Sequence, residues 1–226
     1  MHKILKLALA LTMIAGLAVA QDTRGITTTG VGSVDSLPDM ATIRLGVTHQ
    51  AADAARAMAA TSEGVRAVLD RLQAAGVAPR DMQTDQLALQ PVWSNSNTVP
   101  RQITGFQARN TLTVRVRDMN ALGGVLDLVV QGGANTFSGL SFGLQDPKPA
   151  QDAARAAAVE DAIDRARQLA DAAGVSLGPV QSISEHGGGA RPQMMEMTAR
   201  SVSDIPVAAG ELTVSAQVTI VFAIVE

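Results

Sequence analysis

Asp53-Ala54-Ala55-Arg56-Ala57 recurs as Asp152-Ala153-Ala154-Arg155-Ala156, and Ala74-Ala75-Gly76-Val77 recurs as Ala172-Ala173-Gly174-Val175, at a nearly constant offset. Between the first pair of signposts, Ala54, Met58, Thr61, Val65, Val68 and Leu72 fall at three- and four-residue steps, with Asp53, Arg56, Glu63, Arg66 and Asp70 largely elsewhere. In the second stretch Val159, Ile163, Ala166 and Ala170 share a face. The reading is two long amphipathic helices, over 51–75 and 150–173, each stopped by a glycine and each leading into a strand. Asp146-Pro147 supplies an N-cap and a first-turn proline for the second. Duplication of one unit and two equivalent roles in the fold both account for the match.

Outward from the helices, the period changes to two. The final stretch is the clearest case: Leu212, Val214, Ala216, Val218, Ile220, Phe222 and Ile224 point one way. Strands are also read over 26–34, 40–47, 82–92, 103–117, 136–144 and 176–184, the first two joined across the turn cluster 35–39. In the long strand, Leu112, Val114 and Val116 oppose Thr111, Thr113, Arg115 and Arg117, so one side is buried and the other wet. A shorter helix is expected over 119–130 before Gly132-Gly133, and a mobile Gly-, Pro- and Met-rich loop over about 186–210. The predicted class is α+β: an antiparallel or mixed sheet with two long helices and one shorter helix on one face, the other face being available for assembly.

The first residues bound the setting. Lys3 and Lys6 precede an apolar run over 7–17 that closes on Ala18-Val19-Ala20, the form of a secretory signal peptide cleaved after Ala20. The expected mature chain, 21–226, is one unit destined for the periplasm or the outside. No segment is long and apolar enough to span a bilayer as a helix, which leaves at most peripheral envelope association. Trimming Lys3 and Lys6 from 18 basic residues leaves 16 against 21 acidic ones, which argues against nucleic acid as partner. Stability has to come from packing, since the chain has no cysteine.

Reactive groups are scarce. Two histidines, His49 and His186, remain beyond the leader, so neither the usual zinc ligand sets nor a Ser-His-Asp arrangement is readily assembled. His49 is read at a strand-to-helix junction as a solvated or capping residue. Glu160, Asp161 and Asp164, beside Arg165 and Arg167, read as a solvated helix face, and Gly30-Val31-Gly32 lacks the third glycine and the following helix of a phosphate loop. Met194, Met195 and Met197, near His186, form a cluster whose thioethers suit monovalent copper; packing onto a neighbouring subunit is the plainer reading. Arg115, Arg117 and the lone Trp93 are the interface candidates. No cofactor is expected.

A set of segments in order along the chain carries a family likeness. They are Ile26 through Gly32, Pro38 through Ile43, Ile103-Thr104-Gly105-Phe106, Thr113 through Asp118, Gly133-Ala134-Asn135, Ser141-Phe142-Gly143-Leu144 and Pro206 through Val214. Together they resemble the SIMPL-domain family of bacterial periplasmic proteins. The resemblance implies a periplasmic protein without assigned catalytic residues, linked to oxidative-stress defence or called an outer-membrane antigen, and working as a large homo-oligomer as one member does. The competing readings are a small-molecule or copper-binding protein using the Met-rich loop, and a hydrolase.

Overall fold

The computed structural model describes residues 24–94, 100–186 and 207–225. In chain order the elements are β1 (Gly25–Ser36), β2 (Met40–Ala51), α1 (Ala54–Ala74), β3 (Met82–Trp93), β4 (Ile103–Val116), α2 (Leu122–Gln131), β5 (Thr136–Gly143), α3 (Lys148–Ala173), β6 (Ser176–His186) and β7 (Leu212–Val225). Short 3-10 turns at Pro79–Asp81 and Met119–Ala121 lead into β3 and α2.

The class is α+β, as the periodicities require, and every strand pair is antiparallel. The expected single sheet is divided in two: β3-β4-β2-β5 and β1-β7-β6. The reason is long-range pairing. β1 runs along nearly all of β7, from Gly25 opposite Ala223 to Ser36 opposite Leu212, whereas β2 pairs with β4 and β5. The turn after β1 therefore carries the chain from one sheet to the other. Both sheets repeat one arrangement, in which a helix is followed by an outer strand and then by a central strand, with a third strand on the far side. The sets are α1-β3-β4 with β2, and α3-β6-β7 with β1.

Each sheet has its own core. On the four-stranded sheet, Ile43, Leu45, Val47, Leu112 and Val114 meet Val65, Val68 and Leu72 of α1 and Leu122, Val125, Leu126 and Val129 of α2. Asp53 caps α1 by accepting from the Arg56 N–H at 2.8 Å, and Gly76 leaves the helix at φ +89. On the three-stranded sheet, Val214, Val218, Ile220 and Phe222 pack against Ala154, Ala158, Ala162 and Ala166 of α3. The ridge that α3 buries thus steps by four through alanines, while Val159 and Ile163 flank it half-buried. Asp146 accepts from the Lys148 N–H at 3.1 Å, and Pro147 takes the cap position. Two residues outside the strands tie the halves together: Leu144, just after β5, packs against the α3 core, and Val207, ahead of β7, against the other.

The alanine ridge explains Gly30 and Gly32. A Cβ at Gly30 would lie 2.0 Å from the Ala158 carbonyl oxygen, and one at Gly32 would lie 2.1 Å from that of Ala154. Helix and strand backbones meet there, and the buried Thr28 hydroxyl donates to the Ala162 carbonyl at 2.8 Å. Gly32→Ala should therefore destabilise by about 2–3 kcal/mol, as overpacking does. Gly124→Ala, in α2 with nothing near its Cβ position, should stabilise by up to about 1 kcal/mol through helix propensity. Urea denaturation of the two variants checks both signs.

Candidate functional surfaces

Pro79 starts the single turn that places Asp81 beneath the end of β4, where it is 4% exposed. Arg117, just past β4, grips it with both edges of its fork: Nε donates to Oδ2 and Nη2 to Oδ1, each at 2.7 Å. The same guanidinium donates to Gln145 Oε1 at 3.3 Å, and Gln145 Nε2 donates to the carbonyls of Asp39 and Arg117. The Gln145 N–H donates to Asp39 Oδ1 at 2.7 Å. Asp39 and Gln145 lie at the two places where the chain passes between sheets, so Arg117 is a clasp at the crossing.

Arg115 lines an adjoining cleft of about 250 Å³ with Val77, Ala78, Arg80, Asp81 and Val125. The Arg117 hydrogen bonds hold the Asp81 carboxyl below its ordinary range, with Arg117, Arg80 and Arg115 adding by charge and burial opposing. An ionised carboxylate with both oxygens engaged by Arg117 is poorly suited to acid–base chemistry.

The carboxylates of α3 do more than face water. Asp161 Oδ2 accepts the Val31 N–H at 2.8 Å, and Arg165 Nη1 donates to the Thr29 carbonyl at 3.1 Å while pairing with Asp161. Both groups lie on the edge of β1 turned away from β7, so this pair closes part of a strand edge. The Val31 hydrogen bond is the main cause of a lowered Asp161 pKa, and Arg165 adds to it. Asp164 pairs with Arg167 at 3.0 Å.

The helices leave the outer strands bare. On β3, Leu87 and Leu89 stand opposite Asn110 and Ala108, on the side that α1 covers farther in, yet they are 57% and 42% exposed. The Asn110 Oδ1 beside them is buried without a hydrogen-bond partner among the described residues. On β6, Val180 and Ile183 oppose Phe222 and Ile220 and are likewise exposed. Trp93 ends β3 next to exposed Ile103, with the Arg101 guanidinium 5.8 Å from its ring centroid.

His49 lies within β2 rather than at a junction, half-buried, its Nε2 3.6 Å from where a Cβ on Gly64 of α1 would stand. The backbone of His186 ends β6, paired with Gln217, in the other sheet from His49. Met194, Met195 and Met197, most of the 186–210 loop and residues 1–23 lie outside the described residues. Among the described residues, no cluster of three or more His, Cys, Asp or Glu side chains could hold a metal ion, and no helix is long and apolar enough to cross a membrane. Sequence reasoning missed the bare leucines of β3. Their period-two spacing was visible, but nothing local says where α1 stops covering the sheet.

Two consequences follow for stability. Asp81→Ala should cost about 1–3 kcal/mol by stranding the clasp. The lowered carboxyl pKa values of Asp81, Asp152 and Asp161 belong to folded-state contacts, so their contribution is full above the ordinary value of about 3.9 and is lost as pH falls through the folded value. Denaturation midpoints should fall with acidification below that point, less steeply in Asp81→Ala.

The chain matches the family model described as SIMPL, protein of unknown function (DUF541), over residues 26–222. It is 38% identical over 213 residues to a protein of Brucella melitensis named 26 kDa periplasmic immunogenic protein, covering 88% of this chain and 84% of that one. It is also 32% identical over 209 residues to a protein of Escherichia coli named uncharacterized protein YggE, covering 89% and 84%. With the family match spanning both sheets and all three helices, the chain belongs to the SIMPL family.

Proposed function

We propose that the protein acts in the periplasm as a non-catalytic homo-oligomer, with an envelope-structural or stress-protective role exerted through its assembled form. The observation that carries the assembly is the exposed apolar stripe on two outer strands: Leu87 and Leu89 on β3, Val180 and Ile183 on β6. Apolar residues repeated on equivalent outer strands suit contacts between copies. Edge-to-edge strand pairing is disfavoured by Pro91 in β3 and Pro179 in β6, which favours packing through the faces. The periplasmic setting is supported by the name of the Brucella relative and by the leader-like first residues.

Light scattering after size exclusion of the chain 21–226 should show one discrete assembly. The Leu87→Asp/Leu89→Asp double variant should run as a smaller species with an unchanged circular-dichroism spectrum. A wild-type monomer at high concentration would sink the reading. Peroxide survival of a deletion strain, restored by wild type and not by the double variant, tests whether a stress role depends on assembly.

A further inference from the structure

The face of the β3-β4-β2-β5 sheet turned away from α1 and α2 is polar and carries an excess of positive charge. Register places Gln90, Gln107 and Gln50 in one row and Ala88, Arg109 and Thr48 in the next. Farther along, Arg44 stands opposite Thr113, and Arg115 opposite Thr42. The side chains of these rows include no aliphatic group larger than that of Ala88.

Arg44, Arg109 and Arg115 are exposed there, although the whole chain has a net charge of −3. The carboxylate among them is Asp85, at the bulge in β3, which accepts from the Thr113 hydroxyl and lies 3.8 Å from Arg44. Arg109 makes no ion pair among the described residues, and Arg115 acts on Asp81 by charge without a salt bridge to it.

Within this face is a depression of about 140 Å³ with Ala88 as its floor and Gln86, Gln90, Gln107 and Arg109 around it. The small side chain at 88, between long ones at 86 and 90, is what opens the space. Three glutamines and one arginine line it. Each carboxamide offers two donors and an acceptor, which suits hydroxyl groups that both give and take hydrogen bonds. The guanidinium suits a planar carboxylate, which it can grip through two parallel bonds.

We propose that this depression binds one unit of an acidic sugar, with Arg109 on the carboxylate and Gln86, Gln90 and Gln107 on the ring hydroxyls. The volume is well below the roughly 300–1,000 Å³ of drug-sized ligand sites, which fits a single ring. A longer acidic glycan can continue over the flat threonine rows toward Arg44 and Arg115, about 14 and 20 Å away along the strands at ~3.4 Å per residue. These rows lack both the aromatic rings on which nucleic-acid bases stack and the apolar centre of a protein interface. The site goes beyond the assembly reading and is independent of it, because Leu87 and Leu89 project from the opposite face of β3.

The test is calorimetric titration of the chain 21–226 with a trimer of galacturonic acid. Saturable binding is expected, weakening as salt rises, and reduced at least about tenfold by Arg109→Gln or by Gln90→Ala/Gln107→Ala. Maltotriose, of similar size without carboxylates, should bind at least about tenfold more weakly. The Leu87→Asp/Leu89→Asp variant should bind the acidic trimer as wild type does, whatever its assembly state. No saturable heat at about 10 mM ligand, equal affinity for maltotriose, or an Arg109→Gln affinity within about twofold of wild type would each overturn the assignment.

Discussion

A single helix covers about two strands, since a helix with its side chains is about 10–12 Å across and neighbouring strands lie about 4.8 Å apart. Each half of this protein packs one long helix against a sheet, and in each the helix sits over the central strand and the strand beyond it. In the four-stranded sheet α1 lies over β4 and β2, and in the three-stranded sheet α3 lies over β7 and β1. The strands left largely bare beyond Met82 and Leu177 are β3 and β6, the next strands after the helices in sequence. The exposure of Leu87, Leu89, Val180 and Ile183 is thus a consequence of one geometric limit, and the assembly proposed for the protein uses what that limit leaves over.

The closeness of helix and strand differs between the halves, and composition sets it. On α3, alanines stepping by four face Gly30 and Gly32 of β1, so backbones approach and a threonine hydroxyl bridges them. On α1, the valines Val65 and Val68 and Leu72 fill a thicker layer shared with α2. The far edges are finished differently too. Beside β2 that place is taken by β5, whereas beside β1 an Asp161–Arg165 pair meets the Val31 N–H and the Thr29 carbonyl. Where the chain crosses between sheets, Arg117, Asp81, Gln145 and Asp39 form a polar clasp that pins both crossing segments to the end of β4.

Charge is sorted by face rather than spread evenly. On the open four-stranded face Asp85 stands near Arg44 while Arg109 has no ion pair among the described residues, whereas the arginines of α3 are matched by Asp152, Asp161 and Asp164. An acidic protein that keeps a cationic, amide-rich sheet face has a surface suited to anionic, hydroxylated ligands, and the leucines on the other side of β3 leave that surface free.

Periodicity in the sequence determined the strands and helices, the glycine stops at Gly76 and Gly174, and the shortage of thiols and imidazoles that turns attention from catalysis to surfaces. These are local properties, because a hydrophobic face repeats every 2 or 3.6 residues whatever lies across from it. The split into two sheets, the clasp of Arg117 on Asp81, the edge-closing role of Asp161 and the exposure of Leu87 were settled only by tertiary structure. Each depends on which distant segment arrives alongside: β7 beside β1, or the end of β4 above the turn at Asp81. Pairing of segments far apart in the chain is decided by the packing of the whole core, and alternation along one strand records that a face is buried without recording what buries it.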